Sequence, residues 1–216
     1  MSTIVIVGGH GKVALLASTE LAANGHEVHS LIRTPEQTAD VEATGAQAVI
    51  LDIEHATEQQ LADAFAGADA VIFTAGAGGS STEATFAVDR DGALKTIAGV
   101  QQGGTARLLQ VSYLQADDPE STRDMPAMAP YQEAKHAADE ALRATDLDWV
   151  IVRPGTLTDD DATRRVAVGA GITNGTTSRG NVAAVLAYLA TTPAATQRVL
   201  NVVDGDTDLE TALAQL

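Results

Sequence analysis

An apolar run that stops at a group of glycines constrains the fold of this chain more than any other stretch. Thr3–Val7 has the composition of a buried strand, and Gly8, Gly9 and Gly11 follow it before a helical pattern begins at Lys12. A strand, a glycine turn and a helix in direct succession favour a βα unit of a parallel sheet. The helix start also presents unpaired N–H groups that can bind an anion. The plain alternative is a tight βα turn that needs glycine only for its backbone conformation.

The rest of the chain repeats this alternation of strands and helices. Further apolar runs predict strands at residues 27–33, 46–51, 69–74, 106–112, 149–153 and 198–203, with a short extra strand near 165–168. Right-handed crossovers restrict the topology of such an alternation. We therefore expect an α/β fold in which one Rossmann domain spans residues 1–216. Its doubly wound parallel sheet has about seven strands in the order 3-2-1-4-5-6-7, with helices on both faces.

Two long loops follow the carboxyl ends of predicted strands, at residues 115–130 and 156–177. Doubly wound sheets bind their ligands at this edge, so we predict that these loops contact a small-molecule substrate. Met125, Met128 and Leu157 favour partly apolar walls for that site.

Charge and composition exclude several classes of partner. The formal charge of −16 argues against nucleic acid and against anionic membrane surfaces, which both prefer a basic face. No apolar run approaches the ~20 residues of a membrane span, and no signal-peptide pattern precedes the first strand. The absence of cysteine excludes disulfides and is compatible with a cytoplasmic protein. The histidines lack metal-ligand spacing, so we expect no metal site.

Gly8, Gly11 and Ala14 match the dinucleotide-binding turn in its G-x-x-G-x-x-[GA] form. The first glycine permits the tight bend, the second lets backbone N–H groups approach a pyrophosphate, and the small third residue lets the helix pack on the strand. For Lys12 a side chain that faces solvent is the alternative to a phosphate contact. The turn and the helix start supply the predicted pyrophosphate contacts, which are Gly8, His10, Gly11, Lys12 and Val13.

The end of the second predicted strand bears on the choice of dinucleotide. NAD binders carry an acid there that bonds the ribose 2′-hydroxyl, whereas this strand ends in Ile32, Arg33 and Thr34. A guanidinium makes paired, charge-assisted hydrogen bonds to phosphate, so Arg33 favours NADP(H) over NAD(H). An arginine that extends into solvent from the strand end is the alternative.

Two more strand ends would complete the nucleotide site. Asp52 and Ile53 follow the third predicted strand, at the edge that borders the adenine ring in this fold. Asp52 could accept from the adenine amino group, or it could simply lead the next helix. After the fourth strand, the small residues Thr74, Ala75 and Gly76 would let the sugar and phosphates lie flat on the backbone.

Tyr131 and Lys135 are one helical turn apart and therefore share a helix face. The pKa of a phenol is near ~10. An adjacent ammonium favours the phenolate, so such a tyrosine can exchange a proton with a carbonyl oxygen near neutral pH. Ser112, at the end of the fifth strand, could hold the substrate oxygen beside the phenol. The same pair also arises by chance in many helices.

Taken in chain order, these motifs resemble the short-chain dehydrogenase/reductase superfamily. More closely, they resemble its compact atypical NAD(P)H-binding branch, which includes flavin/biliverdin-reductase-like and NmrA-like members. The resemblance covers essentially the whole chain. It is carried by the glycine turn, Arg33, Asp89-x-x-Gly92, Ser112, Tyr131-x-x-x-Lys135 and Arg153-Pro154-Gly155.

The resemblance implies specific roles. Tyr131 would be the acid/base, and Lys135 would lower its pKa and hold the nicotinamide ribose. Ser112 would orient the substrate, while Pro154 and Gly155 would lie against the nicotinamide carboxamide. One departure is that the asparagine many relatives carry after the fourth strand is absent, because the chain has Thr74-Ala75-Gly76-Ala77 there.

We therefore expect an NADP(H)-dependent oxidoreductase, a monomer or a homodimer. It would transfer a hydride between nicotinamide and a small carbonyl, quinone or similar acceptor. A non-catalytic NADP(H)-binding redox sensor or scaffold is the alternative, since atypical relatives often bind the cofactor without proven turnover. A nucleotide-sugar epimerase is a third hypothesis, although the chain is short for the substrate subdomain that such enzymes add.

Overall fold

The structure is a computed structural model that describes residues 1–105 and 107–216. Ala106, the predicted first residue of the fifth strand, lies outside the described residues. The strands are β1 (Thr3–Val7), β2 (Glu27–Ile32), β3 (Gln47–Ile50), β4 (Ala70–Phe73), β5 (Arg107–Val111), β6 (Asp148–Pro154), β7 (Thr156–Thr158), β8 (Arg165–Val168), β9 (Thr176–Ser178), β10 (Arg198–Asp204) and β11 (Thr207–Asp208).

Helices alternate with these strands. They are α1 (Lys12–Ala23), α2 (Thr38–Glu42), α3 (Glu58–Phe65), α4 (Thr82–Thr85), α5 (Ala93–Gly103), α6 (Ala129–Arg143), α7 (Arg179–Thr191) and α8 (Leu209–Leu213). Short 3-10 helices lie at Pro35–Gln37, Pro119–Thr122 and Pro126–Met128. Among the described residues, no helix combines the length and the apolar character needed to cross a membrane.

The predicted doubly wound sheet is confirmed. Strands β3, β2, β1, β4, β5, β6 and β10 lie side by side in that order, and each adjacent pair is parallel. The strand number is higher than about seven for two reasons. Strands β8 and β11 add an antiparallel edge next to β10, and β7 and β9 pair as a separate small sheet. The segment 156–177 therefore contains more strand than the loop with one short strand that the sequence predicts.

Strand β1 shows how the sheet is buried on both faces. Ile4 and Ile6 belong to the core cluster beneath α1 and α7, whereas Val5 and Val7 belong to the cluster beneath α3, α5 and α6. A central parallel strand is apolar on both faces for this reason. Helices α1 and α7 pack against each other on one side of the sheet, and α3 packs against α5 on the other.

The sequence predicts one long helix over residues 82–102, but in the structure this helix is interrupted. A π-helical segment, Phe86–Gly92, joins α4 to α5 and places Asp89 in the interior. Wide turns of this kind are frequent at functional sites, because the extra residue re-aims a side chain. The sequence predicts a helix over residues 131–144, whereas α6 begins two residues earlier, at Ala129. Pro130 is tolerated in its first turn, where the missing N–H has no helical partner.

Candidate functional site

The carboxyl ends of the parallel strands border two hollows. The first, here called the turn cleft, has a volume of about 350 Å³, and residues 31–33, 51–54 and 74–77 line it together with Gly8, His10 and Gly11. The second, the tyrosine cavity, has a volume of about 570 Å³. Its walls include residues 112–115 and 154–157 with Met125, Met128, Tyr131 and Arg179.

The glycine turn forms the floor of the turn cleft. Gly8 has a φ of +81°, and a Cβ there would lie 2.6 Å from the Cα of Ala75. Gly9 is equally constrained, since its Cβ would lie 2.5 Å from the Cβ of Ser30. The role of Gly9 was missed in the sequence, although its place within the glycine group was a signal. The turn therefore needs glycine for close approach of three chain segments, as well as for its conformation.

The start of α1 is open to an anion. The first helical bond runs from the N–H of Leu15 to the carbonyl of Gly11, at 2.9 Å. Among the described residues, none accepts a hydrogen bond from the N–H groups of Lys12, Val13 or Ala14. The twelve-residue helix also directs the positive end of its dipole here. This cradle of free donors and close-packed glycine fits the pyrophosphate of a dinucleotide.

The side chain of Lys12 points elsewhere. Its Nζ lies 2.7 Å from Oδ2 of Asp159, in the connection after β7. The solvent-facing alternative therefore describes this side chain better than a contact within the turn cleft. Only the backbone of Lys12 contributes to the cradle.

Arg33 and His10 lie on the outer wall of the turn cleft. The Arg33 side chain is exposed, and it forms no ion pair within the described part of the chain. Its backbone N–H donates to Oε1 of Gln37 at 2.9 Å. His10 is held by Asp40, whose Oδ2 lies 2.8 Å from Nε2 of the ring. An unpaired guanidinium at this wall is compatible with a 2′-phosphate.

On the predicted adenine side, both oxygens of Asp52 have partners in the turn that follows β3. Asp52 accepts from the N–H of Glu54 at 3.1 Å, and its second oxygen lies 2.9 Å from Nδ1 of His55. This carboxylate stabilises the turn after β3, which is close to the alternative that Asp52 leads the next helix. Ile53 is buried and also lines the cleft. The hydroxyl of Thr74 donates to the carbonyl of Val7 at 2.9 Å and fixes the opposite wall.

A buried ion pair lies between the two hollows. Nζ of Lys135 is 3.1 Å from Oδ1 of Asp89, and both side chains are at most 5% exposed. Nζ also donates to the carbonyl of Val111 at 3.2 Å and lies 5.7 Å from the ring centroid of Tyr131. The other oxygen of Asp89 accepts from the N–H of Ala77 in the turn cleft, at 2.9 Å. Asp89 entered the sequence prediction only as part of a motif, and its role as the counterion of Lys135 was missed.

Lys135 lowers the pKa of Tyr131, as expected, but the expectation of a lowered pKa overall is wrong. Burial raises this pKa above its ordinary value, and the opposing effect of Lys135 is smaller. Asp89 and Asp139 add to the increase because their negative charges disfavour a phenolate. Lys135 loses solvation, yet the negative charge that Tyr131 carries when ionised and the charge of Asp89 raise the pKa of Lys135 overall, so Lys135 stays an ammonium. The site therefore holds a neutral phenol, which suits a proton donor.

A second buried carboxylate, Asp139, lies behind Ser112. The hydroxyl of Ser112 donates to Oδ2 of Asp139 at 2.8 Å, and Nη2 of Arg153 donates to the same oxygen at 2.7 Å. Nε2 of Gln110 donates to Oδ1 of Asp139 at 2.8 Å. Since Asp139 takes the hydroxyl hydrogen, Ser112 presents only lone pairs to the tyrosine cavity. In this arrangement it can accept from a substrate hydroxyl, but it does not donate to a carbonyl.

The remaining walls come from β6 and from a second tyrosine. A Cβ at Gly155 would lie 2.3 Å from the carbonyl oxygen of Gly175, so only glycine fits beside Pro154. The N–H of Gly155 is already bonded to the carbonyl of Val202, at 3.1 Å. Tyr113 was missed in the sequence. Its ring centroid lies 5.2 Å from that of Tyr131, and burial raises its pKa to about 12.

One group of side chains has the chemistry of metal ligands. Asp117, His136 and Glu140 are exposed, and their ligand atoms lie within 4.8 Å of one another in the part of the chain that the structure describes. Both oxygens of Asp117 already bond guanidinium groups, at 2.7 Å from Arg153 and 2.9 Å from Arg143. The expectation of no metal site stays a prediction.

Comparisons with known proteins point to one family. A family model described as NAD(P)H-binding matches residues 8–193. A Bacillus subtilis protein named as an uncharacterized sugar epimerase, YhfK, is 35% identical over 215 residues, which cover 99% of each chain. A solved structure from Bacillus halodurans, named as a candidate NAD-dependent epimerase/dehydratase, is 33% identical with a TM-score of 0.92 over 100% of both chains. The oxidoreductase ylbE from Lactococcus lactis is 28% identical with a TM-score of 0.89, over 99% of this chain and 96% of that one.

Proposed function

This chain belongs to the NAD(P)H-binding family, and on that premise we propose that it is an NADP(H)-dependent oxidoreductase. Its substrate is a small carbonyl, quinone or similar acceptor, and Tyr131 supplies the proton. The observation that carries the proposal is Asp89, which bonds the wall of the turn cleft at Ala77 and the ammonium of Lys135 beneath Tyr131. A nucleotide site and a proton donor thus share one buried carboxylate.

The turn cleft holds the nucleotide. The free N–H groups of Lys12 and Val13 bind the pyrophosphate, and Arg33 binds the 2′-phosphate that distinguishes NADP(H). The backbone at Thr74, Ala75 and Gly76 would hold the sugars of the cofactor. When bound, the nicotinamide exchanges the hydride, which no side chain of the protein can supply.

The tyrosine cavity handles the proton. The neutral phenol of Tyr131 donates to the substrate oxygen as that oxygen becomes a hydroxyl, and the ammonium of Lys135 stabilises the phenolate that remains. Asp89 and the carbonyl of Val111 hold Lys135 in place. Ser112 then accepts a hydrogen bond from the new hydroxyl, because its own hydrogen is bonded to Asp139.

Replacement of Tyr131 by Phe tests the proposal. Purified protein is titrated with NADPH by fluorescence, and NADPH consumption is then followed with a panel of quinones and aldehydes. The variant should lose ~10²–10⁴-fold in rate, because only the donated proton is removed. Its NADPH affinity should stay close to that of the parent protein. Tyr188→Phe, in α7 and outside both hollows, is the matched control.

Two other functions differ from the oxidoreductase in this assay, because neither of them consumes NADPH. A redox sensor or scaffold binds NADPH and consumes none with any acceptor. An epimerase, which the names of the two Bacillus relatives favour, returns its hydride to the same substrate and also shows no net consumption. Failure to bind NADPH, or a Tyr131→Phe variant with the full parental rate, would contradict the oxidoreductase.

A further inference from the structure

The lining of the tyrosine cavity is unusual for a chain of this charge. The sequence has 29 acidic residues against 13 lysines and arginines. Among the described residues that line the cavity, Arg179 alone carries a formal charge, and no carboxylate lines it. The charge on the described lining of the cavity is therefore opposite in sign to the net charge of the protein.

Arg179 is only partly engaged. It is the first residue of α7, its side chain is 25% exposed, and Nη1 donates to Oδ1 of Asp159 at 2.7 Å. No other hydrogen bond of this guanidinium is present within the described part of the chain. A guanidinium has five N–H donors in a planar fork, so most of its capacity to bind a carboxylate or phosphate remains available.

Asp159 itself indicates which ligand this place accepts. Its two oxygens lie 2.7 Å from Lys12 and 2.7 Å from Arg179, so a carboxylate already bridges the two cations. The hydrogen bond from Lys12, with the charge of Arg179, lowers the pKa of Asp159 and keeps it ionised. The Asp159 side chain is 61% exposed, and an exposed ion pair of this kind contributes little to stability. A competing anion can therefore displace it.

The rest of the cavity is apolar and aromatic. The rings of Tyr113 and Tyr131 form one wall, while Met125, Met128 and Leu157 also line the space. A volume of about 570 Å³ is within the usual range for a small-molecule site. Flat apolar surfaces favour a ring system as the body of the ligand.

We propose that the tyrosine cavity binds a substrate with an apolar ring body and one anionic group, a carboxylate, sulfonate or phosphate, which Arg179 binds in place of Asp159. That this ligand is a substrate rests on the oxidoreductase function proposed above, whereas the preference for an anionic ring compound does not. Arg179 is then a specificity-determining residue, and Asp159 is an internal competitor for it.

Two dyes with the same aromatic body test this preference without turnover. 8-Anilinonaphthalene-1-sulfonate carries a sulfonate, and N-phenyl-1-naphthylamine is its neutral counterpart. The parent protein, saturated with NADPH, should bind the sulfonate at least ~10-fold more tightly, as expected for a charge-assisted hydrogen bond. Arg179→Gln should abolish this difference and leave the affinity for the neutral dye unchanged. Asp159→Asn should tighten sulfonate binding a few-fold by removing the competitor.

Arg198→Gln is the control for net charge, because Arg198 is exposed at the start of β10 and lines neither hollow. A sulfonate preference that survives in Arg179→Gln would overturn the proposal. So would a loss of NADPH affinity in that variant as large as the loss of sulfonate affinity, since Arg179 would then belong to the cofactor site.

Turnover separates this inference from the proposed function. With 1,2-naphthoquinone-4-sulfonate and 1,2-naphthoquinone as acceptors, the sulfonated quinone should have the lower KM, and Arg179→Gln should raise only that KM. If the dyes behave as expected but neither quinone nor any other acceptor is reduced, the anion site stands and the oxidoreductase function fails.

Discussion

The turn cleft and the tyrosine cavity share one edge of the sheet but are built from different interactions. The cleft consists of backbone and small residues whose neighbours fix them by contact, as Ala75 does for Gly8 and Val7 does for Thr74. The cavity depends on side chains that buried charges hold in place. These are the pairs Lys135–Asp89 and Arg153–Asp139.

The difference explains what each region can do. A backbone cradle binds an anion in a fixed geometry and does not titrate, which suits a cofactor that always has the same phosphates. Buried charged groups behind the wall of a cavity can set the protonation state of a phenol, which suits acid–base chemistry. Such a cavity depends on intact buried ion pairs, because removal of one partner from a buried pair destabilises a protein by about 3–5 kcal/mol.

Substitution of Gly8 should have the largest effect on the cleft. Gly8→Val places a branched side chain where a Cβ alone would lie 2.6 Å from the Cα of Ala75, at a φ of +81°. We expect loss of measurable NADPH binding, and a lower unfolding temperature, by titration and thermal denaturation. Gly67→Ala is the control, because Gly67 has a φ of +79° and no atom of the described residues lies within 4 Å of its Cβ position. It should cost about 1–2 kcal/mol of stability and no affinity.

Arg33→Gln should have a smaller and more selective effect. Loss of charge-assisted bonds to the 2′-phosphate should weaken NADPH binding by ~10–100-fold, whereas NADH binding should change less than ~2-fold. Calorimetric titration with both cofactors measures the two changes on the same preparation. Equal weakening of both would show that Arg33 does not distinguish the dinucleotides.

The smallest expected effect is on the pH dependence of stability. It concerns Asp117, the exposed partner of the buried Arg153. The hydrogen bond from Arg153, together with Arg143, holds the pKa of Asp117 well below its ordinary value of 3.8. A lowered pKa in the folded state stabilises the protein above pH 3.8, and this contribution disappears as the pH falls below that value. Because the side chain is 44% exposed, solvent screening limits the contribution to about 1 kcal/mol.

Asp117→Asn should therefore reduce the free energy of unfolding at neutral pH and make its decline toward acid shallower. Urea unfolding at a series of pH values measures both quantities. Asp160→Asn, which removes an exposed carboxylate after β7, is the control for net charge. A decline toward acid that is as steep in Asp117→Asn as in the parent protein would contradict this assignment.

The cleft could be predicted from sequence because its signals are local. Gly8 lies next to the strand that it ends, and Arg33 and Thr74 lie at the ends of their own strands. The cavity could be predicted only in part. Tyr131 and Lys135 share a helix, but the partners that decide their charge, Asp89 and Asp139, enter through a π-helical segment and through burial.

The direction of the Tyr131 pKa shift shows the limit of local reasoning. The adjacent ammonium alone predicts a lower pKa, whereas burial of the phenol raises it. The strands of segment 156–177 were equally hard to predict. Thr156–Thr158 and Thr176–Ser178 are short and polar, and they are strands because they pair with each other across the intervening chain.

A crystal structure of the parent protein with NADPH bound tests the division between the two regions most directly. We expect the pyrophosphate on the N–H groups of Lys12 and Val13, the 2′-phosphate beside Arg33, and the nicotinamide ring in the tyrosine cavity beside Tyr131. A nicotinamide ring outside that cavity, or a pyrophosphate away from the Gly8 turn, would contradict the account.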